Sequence, residues 1–190
     1  PVPVRPGPFL PPRAAGRHAV AQLDRLVRIT YFADIRFPLE RANGVQTMET
    51  CHALARRGHQ VRLVVRPDSA TPQRDPWAYY GLDPVPTLTI ERVHVPAAPA
   101  ARRAAYVGHS LWRALGPSRA DVIFTRDLGI AGLLLRLPPV ARAPVVYESH
   151  GFAPSVAADL PAMLSHAAAL TAAKRRRLER RERLVWARAG

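Results

Sequence analysis

The stretch VRITYFADIRFPLERANGVQTMETCHALARRGHQVRLVVR, residues 27–66, decides the fold. Val27, Ile29, Tyr31 and Phe32 form one short run of strand-forming residues, and Val61, Leu63, Val64 and Val65 form another. Runs this short and this apolar suit strands buried on both faces. Between them Val45, Met48, Cys51, His52, Leu54 and Ala55 recur at three-to-four spacing, the period of a helix with one buried face. Gly44 stands where the first loop gives way to that helix, and Gly58, after Arg56 and Arg57, where the helix ends. The reading is a βαβ unit. It puts the positive end of a helix at the carboxyl end of a strand, where open α/β sheets bind ligands. Asn43 and Gly44 occupy that place.

The alternation continues down the chain. Residues 67–86 carry prolines every few positions and predict a long surface loop with one turn around Trp77 to Tyr80. Thr87 to His94 alternates apolar and polar, as a third, less buried strand would. A helical stripe of Tyr106, Val107, Leu111, Trp112 and Leu115 follows within Ala100 to Leu115, ended by Gly116 and Pro117. Asp121 to Thr125 reads as a buried strand and Leu128 to Leu137 as a helix stopped by Pro138 and Pro139. Pro144 to Glu148 reads as another strand, followed at once by Ser149, His150 and Gly151. Residues 159–188 predict one long, arginine-rich helix, with Glu179 and Glu182 pairing with nearby arginines on a solvated face. Strands alternating with helices predict an α/β class: a doubly wound, mostly parallel, Rossmann-like sheet with right-handed crossovers.

Composition sets the bounds. The 190 residues suit one domain, and 48% hydrophobic residues suffice for a core. Residues 1–25, dense in Pro, Gly, Ala and Arg, predict a disordered leader ahead of a domain over 26–190. The net charge of +14 raises nucleic acid and anionic membranes as partners. Lys174 is the sole lysine, however, and abundant Arg, Ala and 20 prolines fit a compositional bias as well as a selected polyanion site. The single cysteine, Cys51, excludes an internal disulfide and argues against a cysteine-built metal site; no metal is expected. No apolar run reaches the ~18 residues of a membrane span, and the opening residues lack a signal pattern. A cytoplasmic protein is expected, its basic surface suited to peripheral contact with the inner face of a membrane. The start at Pro1 suggests a fragment or an incompletely called start.

The ordered set NGVQ, ALARRGHQV, FTR and VVYESHG resembles the N-terminal, acceptor-side domain of GT-B glycosyltransferases of the retaining family 4 group, over roughly residues 27–190. The resemblance implies a hexosyltransferase fragment, moving a hexose from a nucleotide-diphosphate sugar to a sugar, lipid or small-molecule acceptor without a further cofactor. It implies that Asn43, Gly44 and Val45 form the small-residue loop near the donor diphosphate and acceptor. By the same resemblance His150 contacts the transferred sugar near the reaction centre. Arg126, Glu148, Asp34 and Arg36, all just past predicted strands, are further cleft candidates. The resemblance also implies a missing last strand and a missing C-terminal donor domain, supplied in cis or in trans, so that this chain alone should transfer no sugar.

Two other readings compete. One is an arginine-rich α/β nucleic-acid-binding module without enzymatic activity, although nucleic acid is the disfavoured partner. The other, a dehydrogenase half, lacks the G-x-G-x-x-G fingerprint after the first strand.

Overall fold

The computed structural model describes residues 26–117, 119–163 and 169–189; the leader expected over 1–25 lies outside them. The strands are β1 (Arg28–Arg36), β2 (Gln60–Arg66), β3 (Leu88–Arg92), β4 (Val122–Thr125) and β5 (Val145–Tyr147). The helices are α1 (Ala42–Arg56), α2 (Pro76–Tyr80), α3 (Pro99–Leu115), α4 (Leu128–Leu134), α5 (Ala153–Met163) and α6 (Ala172–Arg188). All strand pairs are parallel, in the order β3-β2-β1-β4-β5. The order reverses at β1, so the crevice between the carboxyl ends of β1 and β4 is the topological switch point.

Side chains alternate across the sheet and separate two cores. Ile29, Tyr31, Leu63 and Val65 pack with Met48, Cys51 and Ala55 of α1. Their neighbours Phe32, Val64 and Ile123 point the other way, onto Tyr106 of α3, Ile130 and Leu134 of α4 and Val185 of α6. Tyr31, Phe32, Leu63 and Val64 are fully buried, each stabilising the fold by about 1.5–3 kcal/mol. Helices therefore cover both faces, as the sequence predicts. Cys51 is fully buried, and burial pushes its thiol pKa up.

The proline-rich loop is held by polar contacts. Asp68, buried, takes both guanidinium arms of Arg74 and the backbone N–H groups of Ala70 and Arg74. The turn expected near Trp77 is α2, capped by the Asp75 carboxylate and ended by Gly81 at φ 64°.

Four local expectations need correction. α1 begins at Ala42, so Asn43, Gly44 and Val45 lie in its first turn and not in the loop before it. Val45 is exposed, and the buried stripe is Gly44, Thr47, Met48, Cys51, His52 and Ala55, because Gly44 lets the helix start close against the chain at Leu39. α4 ends at Leu134, three residues earlier than Leu137. The long C-terminal helix is two, α5 and α6, and Glu182 is not on a solvated face. It is buried in α6 and accepts the backbone N–H of Ala153, the first residue of α5, at 2.9 Å. Glu179 does pair with Arg175 one turn away, at 3.1 Å.

Candidate active site

A cleft of about 150 Å³ opens at the switch point, lined by Ala33, Asp34, Ile35, Asn43, Arg126 and Asp127. Thr125, fully buried, fixes the strand end beside it. Its buried hydroxyl donates to Phe32 O at 2.9 Å and accepts the Asp127 N–H at 3.0 Å, locking the end of β4 to β1. Asp127 then caps α4 by accepting the Ile130 N–H at 2.8 Å. With both neighbours fixed, Arg126 is directed across the cleft, where its Nη1 donates to Asn43 Oδ1 at 3.1 Å.

Glu148, past the end of β5, gathers the remaining groups. Its Oε1 lies 2.7 Å from His150 Nε2 and accepts from Gln46 Nε2 at 3.3 Å. Its Oε2 accepts the Tyr31 hydroxyl at 3.5 Å and lies 3.9 Å from Arg126 Nε. Burial, and then the Glu148 carboxylate, push the Tyr31 phenol pKa up, so it stays a donor. A carboxylate facing His150 Nε2 favours the ring proton there and leaves Nδ1 as an acceptor.

Asp34 is at the cleft but already engaged. It forms an ion pair with Arg66 at 2.7 Å and another with Arg103, which also grips Asp127 with both arms at 2.7 and 2.8 Å. Burial opposes the charge on Asp127, yet hydrogen bonds from Arg103 hold its carboxyl below the usual range. Arg36 is exposed at the last position of β1, and its side chain makes no hydrogen bond or ion pair among the described residues. Of the residues singled out by sequence, Asn43, Arg126, Glu148 and His150 thus come together, Asp34 is committed to structural arginines, and Arg36 stands apart.

Gly44 has a reason that the sequence hid. A Cβ there would collide with the Leu39 carbonyl oxygen and come within 2.8 Å of Leu39 Cβ and Tyr80 Oη. The N–H groups of Gly44 and Val45 both donate to Arg41 O, at 2.7 and 3.3 Å. The glycine therefore seats α1 against the β1–α1 loop. Gln46 and Tyr31 join the cluster unannounced, Gln46 because it follows Asn43 by about one helical turn and Tyr31 because its ring is core while its hydroxyl reaches the rim.

The parallel sheet, its switch-point cleft and this polar cluster agree with a match over residues 43–190 to the model of the glycosyl transferase 4-like domain. The chain belongs to the glycosyl transferase 4-like domain family. The match begins in the first turn of α1, so the central strand β1 lies outside it, yet β1 supplies Tyr31 and Asp34 to the cleft of this glycosyl transferase 4-like domain. No curated protein matches this chain. Among the described residues no helix is long and apolar enough to cross a membrane.

Proposed function

We propose that the chain supplies the acceptor-side wall of a cleft in which a hexose passes from a nucleotide-diphosphate sugar to a sugar, lipid or small-molecule acceptor. The observation that supports this most is the contact chain Asn43–Arg126–Glu148–His150, which joins α1, β4 and β5 at the switch point. His150, oriented by Glu148, positions a hydroxyl of the transferred sugar, and Arg126 faces the departing diphosphate. The bond from the anomeric carbon to the phosphate oxygen breaks as the acceptor oxygen bonds that carbon. The acceptor proton leaves on the diphosphate. Stabilising that leaving group is mostly electrostatic, and a second domain, in cis or in trans, provides the rest of the donor contacts.

The test is release of nucleoside diphosphate from a panel of nucleotide sugars, with the 190-residue chain alone and joined to a donor domain. Transfer only in the joined form, lost in His150→Ala, is the expected result. Transfer by the chain alone would overturn the division of labour, and unchanged turnover in His150→Ala would overturn the site.

A further inference from the structure

Beside the cleft, α4 packs against α6 through a face that carries Gly129 and Gly132. The position a Gly129 Cβ would take is 2.5 Å from Arg103 Nη2, 3.0 Å from Asp127 Oδ1 and 3.7 Å from Arg181 Nη1. The corresponding point on Gly132 is 3.6 Å from Arg136 Nη1 and 3.8 Å from Arg181 Cγ. Arg181 of α6 therefore lies along α4, its stem over one glycine and its guanidinium over the other. Arg177 is one turn earlier on α6, at the spacing that makes two side chains neighbours. Three further guanidinium groups thus surround Arg181.

This crowding is unfavourable as it stands. Arg181 is half-buried, and neither it nor Arg177 makes a hydrogen bond or ion pair among the described residues. Burial lowers the Arg181 pKa, and the charges of Arg177, Arg136 and Arg103 lower it further, only partly offset by the Asp127 carboxylate. The nearby carboxylates, Asp127 and Asp34, are taken by Arg103. Like charges gathered from α3, α6 and the turn after α4 on a glycine-lined face fit a ligand that brings several anionic oxygens. A carboxylate is satisfied by one guanidinium fork, whereas a phosphate has oxygens for two or more. Asp127 lies both beside this cluster and in the cleft lining, so the cluster adjoins the switch point.

We propose that Arg177 and Arg181, backed by Arg103 and Arg136, bind a phosphate group of the acceptor on the α4 face beside the cleft. This rests on the cleft being a sugar-transfer site, but the phosphate contact is measured without transfer. Inorganic phosphate is titrated into the full chain by calorimetry, and phosphatidylcholine vesicles with and without phosphatidylglycerol are tested in parallel. Arg181→Ala and Arg177→Ala should each weaken phosphate binding roughly tenfold, the loss expected for a charge-assisted hydrogen bond. Arg176→Ala removes the same charge from an exposed position of the same helix and should change it by less than about twofold.

Loss of phosphate binding with vesicle binding unchanged assigns the phosphate to a soluble acceptor. Loss of both assigns it to a lipid headgroup, and either outcome supports the site. Equal effects of Arg176→Ala and Arg181→Ala, or none from Arg181→Ala and Arg177→Ala, would overturn it. Since Arg177 is exposed, its variant keeps the test valid if Arg181→Ala perturbs folding. Absence of sugar transfer would leave the titration as it is, so the two readings fail separately.

Discussion

Arg126 and Asn43, 83 residues apart, meet through a hydrogen bond of 3.1 Å that closes the crevice between β4 and the first turn of α1. The contact exists because parallel β1 and β4 bring their carboxyl ends to the same edge of the sheet. Arg126 can then touch a ligand without leaving a fixed position. With the chain joined to a donor domain as proposed above, Arg126→Ala should lower kcat/KM by about 100-fold, the scale of a lost positioning contact. Arg126→Lys should recover only part of it, because an ammonium lacks the guanidinium fork. The readout is nucleoside diphosphate release, with urea melts showing a stability change of about 1 kcal/mol or less.

Two glycine substitutions should act in opposite directions. Gly44→Ala forces a Cβ into Leu39 and the Tyr80 hydroxyl and should cost at least about 1–3 kcal/mol. Gly108, exposed inside α3, has nothing within 4 Å of its missing Cβ. Gly108→Ala should stabilise by about 0.5–1 kcal/mol, by restricting the unfolded chain and improving helix propensity. Thermal melts of the two variants against wild type check both.

Glu182→Ala removes the acceptor for the Ala153 N–H and leaves a cavity between α5 and α6. Stability should fall by about 1–3 kcal/mol in urea titration, the range for a buried hydrogen bond to a charged group. Because Ala153 opens the helix just after His150 and Gly151, hydrogen exchange should also quicken in that segment.

The Asp68–Arg74 pair sets an acid limit. Hydrogen bonds from Arg74 hold the Asp68 carboxyl well below the usual range, against the opposing effect of burial. A depressed folded-state pKa means the contribution is complete above the unfolded value, near ~3.9, and is lost as pH falls towards the folded one. The melting temperature should therefore drop between about pH 5 and pH 2. Asp68→Asn should be less stable at neutral pH and show a shallower drop; an unchanged slope would refute this assignment.

Sequence alone determined the sheet. The runs at Tyr31–Phe32 and Leu63–Val65 could only be satisfied with both faces covered, and local spacing placed the helices between them. It also placed Asn43 at the start of a helix and Arg126, Glu148 and His150 just past strand ends, because position along a strand or helix is a one-dimensional property. Which of the candidates touch was decided by the tertiary structure. Asp34 and Glu148 look alike in sequence, each an acid beyond an apolar run. Asp34 is held by Arg66 and Arg103, and Glu148 faces His150, Gln46 and Tyr31. Glu182 and Glu179 look alike on a basic helix, yet packing of α5 buries one and leaves the other with Arg175. A side chain's charge partner is set by what the chain brings near from tens of residues away, and no local spacing encodes that distance. The Asn43 turn is one wall of the switch-point cleft because Arg126 crosses to meet it, and its glycine is there to seat the helix.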